Sequence, residues 1–111
     1  MGHIAVIKKN KEFRKVFGSG NYAADRYMVI YYKPNMLGAT RFGFTVSKKT
    51  GKAVVRNRIR RLFKEACRLN RELFRDGFDY VLLARRDLAG RDYRQVEESI
   101  KKLLKRAFAG K

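Results

Sequence analysis

Projected at about 100° per residue, the segment Val55–Leu73 divides into two faces in the manner of an amphipathic helix. Val55, Ile59, Leu62, Phe63, Ala66, Leu69 and Leu73 fall within an arc of roughly 120°. Arg56, Asn57, Arg60, Arg61, Lys64, Arg68 and Arg71 take the opposite side, while Glu65 and Glu72 share one flank. Arg58 stands near the apolar margin, where its stem can lie along a core. Such a helix must seat its apolar stripe on another element, which requires a folded body around it.

The charged face is as informative as the apolar one. A loop with Lys48, Lys49 and Lys52 leads into the helix, and no Asp or Glu occurs between Asp25 and Glu65. Ion pairs of the i,i+4 kind therefore do not explain the stripe, and Arg56/Arg60, Arg60/Lys64 and Lys64/Arg68 each repel by a few tenths of a kcal/mol. A polyanion lying against this face relieves that repulsion, and phosphate backbone is the usual one. The whole chain, 111 residues with a formal charge of +18, fits the same footprint. An anionic membrane surface is the weaker alternative, because no long apolar run and no lipidation signal occur. The single cysteine, Cys67, excludes an internal disulfide and fits a reducing cytoplasm.

Length and a 45% apolar content predict one domain over residues 1–111. Asn10 can cap a short helix bearing Phe13, Val16 and Phe17, ended by Gly18 and Gly20. The β-prone run Tyr27–Lys33 is stopped by Pro34, and Asn35–Thr40 reads as a turn. Arg41–Ser47 alternates as a half-buried strand, with Phe42, Phe44 and Val46 on one face, and the two strands are expected to pair as an antiparallel hairpin. Phe78–Ala84 is a further strand, and Asp92 with Gln95 resembles a capping box opening a helix with Tyr93, Val96, Ile100, Leu103, Leu104 and Ala107. The expected fold is α+β, a small sandwich of order helix-strand-strand-helix-strand-helix with helices packed on one mixed sheet.

Catalytic groups are scarce. The only histidine, His3, is at the terminus, Glu97 and Glu98 are adjacent and point apart, and Cys67 reads as a packing residue. Asp76 and Asp79 could hold a metal, but turn chemistry explains them as well. No nucleophile–base grouping can be assembled, so no catalytic residue is expected. Phe13 and Phe17 lie one helical turn apart, and Tyr27, Tyr31 and Lys33 share a strand face; six tyrosines in so basic a chain suit a platform on which unpaired bases stack. A structural ribosomal protein and a metal-dependent nuclease using Asp76 and Asp79 remain open on these grounds.

The run VSKKTGKAVVRNRIRRLFKE closely resembles the signature of the bacterial ribonuclease P protein subunit, in which an SKK-x-G-x-A loop leads into an RNR helix. The Phe13–Phe17 helix, the Arg41-Phe42-Gly43-Phe44 strand and the Asp79–Arg86 strand match in order, so the resemblance spans nearly the whole chain, with Thr50 in place of an expected aliphatic residue. The resemblance implies an accessory subunit of an endoribonuclease. In that enzyme, the resemblance implies, a catalytic RNA with Mg²⁺ removes the 5′ leader of precursor tRNA. It also implies a left-handed βαβ crossover, against the general rule of handedness. On this resemblance Phe13, Phe17 and Tyr31 line a cleft for the single-stranded leader, with Lys48, Lys52 and Arg86 on its phosphates. Arg56, Asn57 and Arg58, extended by Arg60, Arg61, Lys64 and Arg68, face the catalytic RNA. Mg²⁺ is expected mainly on the RNA, with no protein partner and no membrane.

Overall fold

The computed structural model describes residues 4–109, so His3 lies outside the described residues. Eight elements follow in order: β1 (Ala5–Val6), α1 (Asn10–Ser19), β2 (Asn21–Ala24), β3 (Met28–Pro34), β4 (Arg41–Thr45), α2 (Ala53–Leu69), β5 (Phe78–Ala84) and α3 (Tyr93–Ala107). The strands form one mixed sheet in the order β1-β4-β5-β3-β2. This is the expected mixed α+β arrangement, with two short strands added. β1 and β2 escape a sequence reading because two residues, and the run Asn-Tyr-Ala-Ala, carry almost no β signature.

The expected hairpin does not form. β5 lies between β3 and β4, antiparallel to the first (Ile30 opposite Leu82) and parallel to the second (Phe44 opposite Leu82). The reason lies in composition: Tyr80, Val81 and Leu82 are buried on both faces, as a central strand requires, whereas β3 alternates between buried and half-buried positions. β4 and β5, parallel and adjacent, are joined through α2, so the chain makes a βαβ crossover.

Alternation sorts each strand between two layers. Met28, Ile30, Tyr32, Phe42, Tyr80, Leu82 and Ala84 meet α2 (Ile59, Phe63, Ala66, Cys67) and α3 (Val96, Ile100, Leu103, Leu104) in the main core. The opposite face carries α1 on a small cluster of Ile7, Val16 and Val81, flanked by Phe13 and Tyr31. Tyr27 precedes β3 and packs against the main core between Arg26 and Arg91, so it does not share the Tyr31 face as alternation suggests.

Helix ends differ in detail from expectation. Lys9, not Asn10, occupies the N-cap of α1 and makes no side-chain cap bond. α2 starts two residues before Val55 and stops at Leu69, where Asn70 donates to Ala66 O and to Glu97. Leu69 and Leu73, placed on the apolar stripe by angle, are 51% and 41% exposed, because the helix ends and Arg71–Leu73 turns away as a 3-10 turn. Asp92 caps α3 through Gln95 N at 3.2 Å, but the Gln95 side chain turns to Ser99, so only one arm of the capping box exists.

An ionic cluster ties α1 to the sheet. The Arg41 guanidinium meets both oxygens of Asp79 at 2.9 and 2.7 Å and reaches Glu12 of α1 at 3.0 Å. Burial pushes the Asp79 carboxyl up, but hydrogen bonds from Arg41 and Asn35 more than offset this and hold it below the usual carboxylate range. A depressed folded pKa stabilises above the unfolded value and loses that contribution as pH falls through the folded one. Asp79→Asn should therefore lower the melting temperature at neutral pH. Its gap from wild type should start to narrow as pH falls below about 4, the unfolded aspartate value, and go on narrowing toward the lower folded one, in melts run from pH 7 to 3.

Candidate nucleic-acid interface

The outer face of α2 carries the stripe read from the sequence, with a division of labour that spacing alone conceals. Asn57, Arg60, Arg61 and Lys64 are exposed, and Arg61 and Lys64 have no partner among the described residues. Arg60 donates to Asn57 Oδ1 at 3.0 Å. Arg56, Arg58 and Arg68 are half-buried and spend donors on the protein itself. Arg56 donates to Gly51 O at 2.8 Å, Arg58 to Arg91 O at 2.9 Å, and Arg68 pairs with Glu65 at 2.9 Å. The last pair corrects the expectation of a stripe without interspersed acids: Glu65 lies close enough to neutralise its C-terminal end. The N-terminal end stays cationic, with no acid in the first turn and Lys48, Lys49 and Lys52 exposed beside it, where the helix dipole adds to the positive potential.

The second part of the surface is built by strand register. Thr45, Leu83, Val29 and Ala24 are successive neighbours across β4, β5, β3 and β2. By alternation they share the α1 face, yet all four are half-exposed and Val29 and Leu83 belong to neither core. They floor a trough across the sheet. Its α1 side is a run of rings: Phe13 to Phe17 at 6.3 Å, Phe17 edge-on to Tyr31 at 4.7 Å, and Tyr31 to Tyr22 at 5.9 Å. Its other side is the loops leaving β4 and β5, which bring Lys48 and the exposed Arg85 and Arg86 to the strand ends; their two 3-10 turns touch. Lys52, at the N-cap of α2, stands further along the same loop.

Where the trough meets β4 it deepens into a cleft of about 500 Å³ lined by Asn10, Phe13, Arg14, Phe17, Phe44, Thr45, Val46 and Arg60. Gly43 is required there: a Cβ on it would stand 2.7 Å from the Phe13 ring, so a larger residue would push the ring off the sheet. The structure thus brings Phe13, Phe17 and Tyr31 together as expected and puts Arg60 in the cleft as well as on the stripe, joining the two surfaces. Arg14 was missed, although Asn10, Arg14 and Phe17 at i, i+4 and i+7 mark one helix face. A larger groove of about 600 Å³ lies between the turn after α2 and the end of α3, with an apolar floor and Arg75 over the Phe108 ring at 4.4 Å; it holds no site residue.

Asp76 and Asp79 do not form a joint ligand set, since Arg71 engages the first at 2.8 Å and Arg41 the second. Among the described residues no group of three His, Cys, Asp or Glu side chains gathers as a metal site would require. Burial pushes the Cys67 thiol well up, which suits packing rather than nucleophilic chemistry. No described helix is long and apolar enough to cross a membrane.

A small mixed sheet with a ring-lined trough and a cationic helix beside it fits the class of small basic RNA-binding proteins. Comparison with known proteins settles which kind. The family model for ribonuclease P matches residues 1–108. The ribonuclease P protein component of Pelotomaculum thermopropionicum is 55% identical over 102 residues, covering 92% of this chain and 91% of that one. The solved RNase P protein of Staphylococcus aureus superimposes with a TM-score of 0.86 at 30% identity, covering 98% of this chain and 100% of that one. That of Thermotoga maritima gives 0.82 at 31%, covering 90% and 94%. The chain belongs to the ribonuclease P protein family, and with it to the accessory protein subunits of that endoribonuclease. Membership decides against the ribosomal reading that composition left open.

Proposed function

We propose that the chain holds the single-stranded 5′ leader of precursor tRNA in the trough while the outward face of α2 lies on the catalytic RNA. The observation that carries this is the continuity of the two surfaces at Arg60, which lines the ring-bearing cleft and belongs to the exposed stripe. Rings give each unpaired base a stacking surface worth about 1–3 kcal/mol with little sequence preference, as a subunit serving many leaders needs. Cations on both sides offset repulsion between two polyanions brought close together. The leader then adds binding energy that mature tRNA lacks.

Magnesium belongs to the RNA in this account: the faces turned to RNA carry cations and rings, which do not fit a divalent cation. Phosphodiester hydrolysis is the RNA's, and the work is cytoplasmic. Reconstitution with a catalytic RNA at low Mg²⁺ tests the reading. Cleavage of precursor should require the chain there and become less dependent on it as Mg²⁺ rises; cleavage indifferent to the chain at every Mg²⁺ concentration would overturn it.

A further inference from the structure

We infer that the leader track runs past Tyr31 to the far edge of the sheet, with Tyr22 of β2 as its outermost stacking residue. This rests on the reading of the trough as the leader site. Tyr22 is directly opposite Tyr31 in register, so the two side chains share the trough face, and their ring centroids are 5.9 Å apart. It is 66% exposed and belongs to neither core, so folding does not explain its ring. Three of the other five tyrosines are tied down by their hydroxyls, Tyr32 to Ala107 O, Tyr80 to Arg75 O and Tyr93 to Glu97, and Tyr27 and Tyr31 pack against the cores. The Tyr22 hydroxyl has no partner among the described residues.

Charge selects the occupant. A second copy of the chain would carry the same +18 toward this edge, whereas RNA brings the opposite sign. Geometry sets the reach. From β4 to β2 the sheet spans three strand spacings, about 14 Å, which is roughly four stacked nucleotides or fewer extended ones. Arg60 and α2 stand at the β4 end, so Tyr22 meets the leader nucleotide furthest from the catalytic RNA. Tyr22 is therefore a length-reading residue: it rewards leaders long enough to cross the whole sheet and is silent toward shorter ones.

The test uses the reconstituted holoenzyme and a precursor series whose leader grows one nucleotide at a time, with Tyr22→Ala, Tyr22→Phe and the unaltered chain. Affinity of the unaltered chain should climb with leader length and level off. Tyr22→Ala should match it on short leaders, level off earlier and bind long leaders about fivefold or more weakly, the effect of one lost stacked base; Tyr22→Phe should follow the unaltered chain. Equal affinity of Tyr22→Ala and the unaltered chain at every length would overturn this inference and leave the leader reading intact. So would a uniform loss at every length, leaderless RNA included, or self-association without RNA that depends on Tyr22. An unaltered chain indifferent to leader length would sink both.

Discussion

With Arg60, Arg61 and Lys64 all replaced by alanine, affinity for the catalytic RNA should fall on the order of 100-fold at 0.1 M salt, and the slope of log affinity against log salt should drop by about 2. Each phosphate contact on structured RNA contributes about 0.7–0.9 to that slope through the counterions it releases. All three side chains are exposed, and Arg61 and Lys64 bind nothing else among the described residues, so little native structure is lost with them. Arg60 and Lys64 repel each other at i,i+4, and their removal should leave the melting temperature unchanged or slightly raised. Weaker binding with undiminished stability separates a functional surface from a structural one. An unchanged salt slope would mean that the stripe does not touch phosphate. Arg68→Ala should weaken binding less than Lys64→Ala, because Glu65 already holds that guanidinium.

Phe63→Ala probes the other side of the same helix. The ring is fully buried and stacks on Phe44 of β4 at 6.1 Å. Truncating a buried phenylalanine costs about 3–5 kcal/mol, a large share of the 5–15 kcal/mol typical of a domain. A fall in melting temperature of roughly 15 °C is expected. Leu73→Ala, four-tenths exposed beyond the helix end, should cost less than about 1 kcal/mol although the angular projection treats the two positions alike. Thermal melts of both variants check the contrast; equal losses would contradict the packing described.

Much of this molecule is legible in its sequence. β5 matched its apolar run residue for residue, and α2 and α3 followed from period, because buried stripes and strands leave local signatures. Strand order did not, since pairing is decided by which strand can be buried on both faces, a property of the assembled sheet. The hairpin reading failed for that reason: β3 and β4 are neighbours in sequence with β5 between them in space. At the candidate site, the residues that fill one helix face or one motif are legible in the sequence. Arg14, Tyr22 and the trough floor are not, because only register across four strands places Thr45, Leu83, Val29 and Ala24 side by side. The place of Arg58 at the apolar margin follows from the angle, but the half-buried state of Arg56 does not, and neither acceptor, Gly51 O or Arg91 O, could be read, because both are backbone atoms of loops that a helical projection does not contain.

On the proposed reading, the ring-lined trough, rather than charge alone, should let the chain tell precursor from product. Phe17 is the side chain on which to test it: at 37% exposure it is a wall of the trough more than a piece of core. The measurement is the affinity of the reconstituted holoenzyme for precursor tRNA with its leader and for the same RNA without it, for the unaltered chain and for Phe17→Ala. The leader-bearing RNA should bind more tightly, with that advantage cut by about fivefold or more in Phe17→Ala at unchanged salt slope, and leaderless affinities should be equal. Equal affinities for the two RNAs with the unaltered chain, or a loss in Phe17→Ala that is the same for both, would contradict that reading.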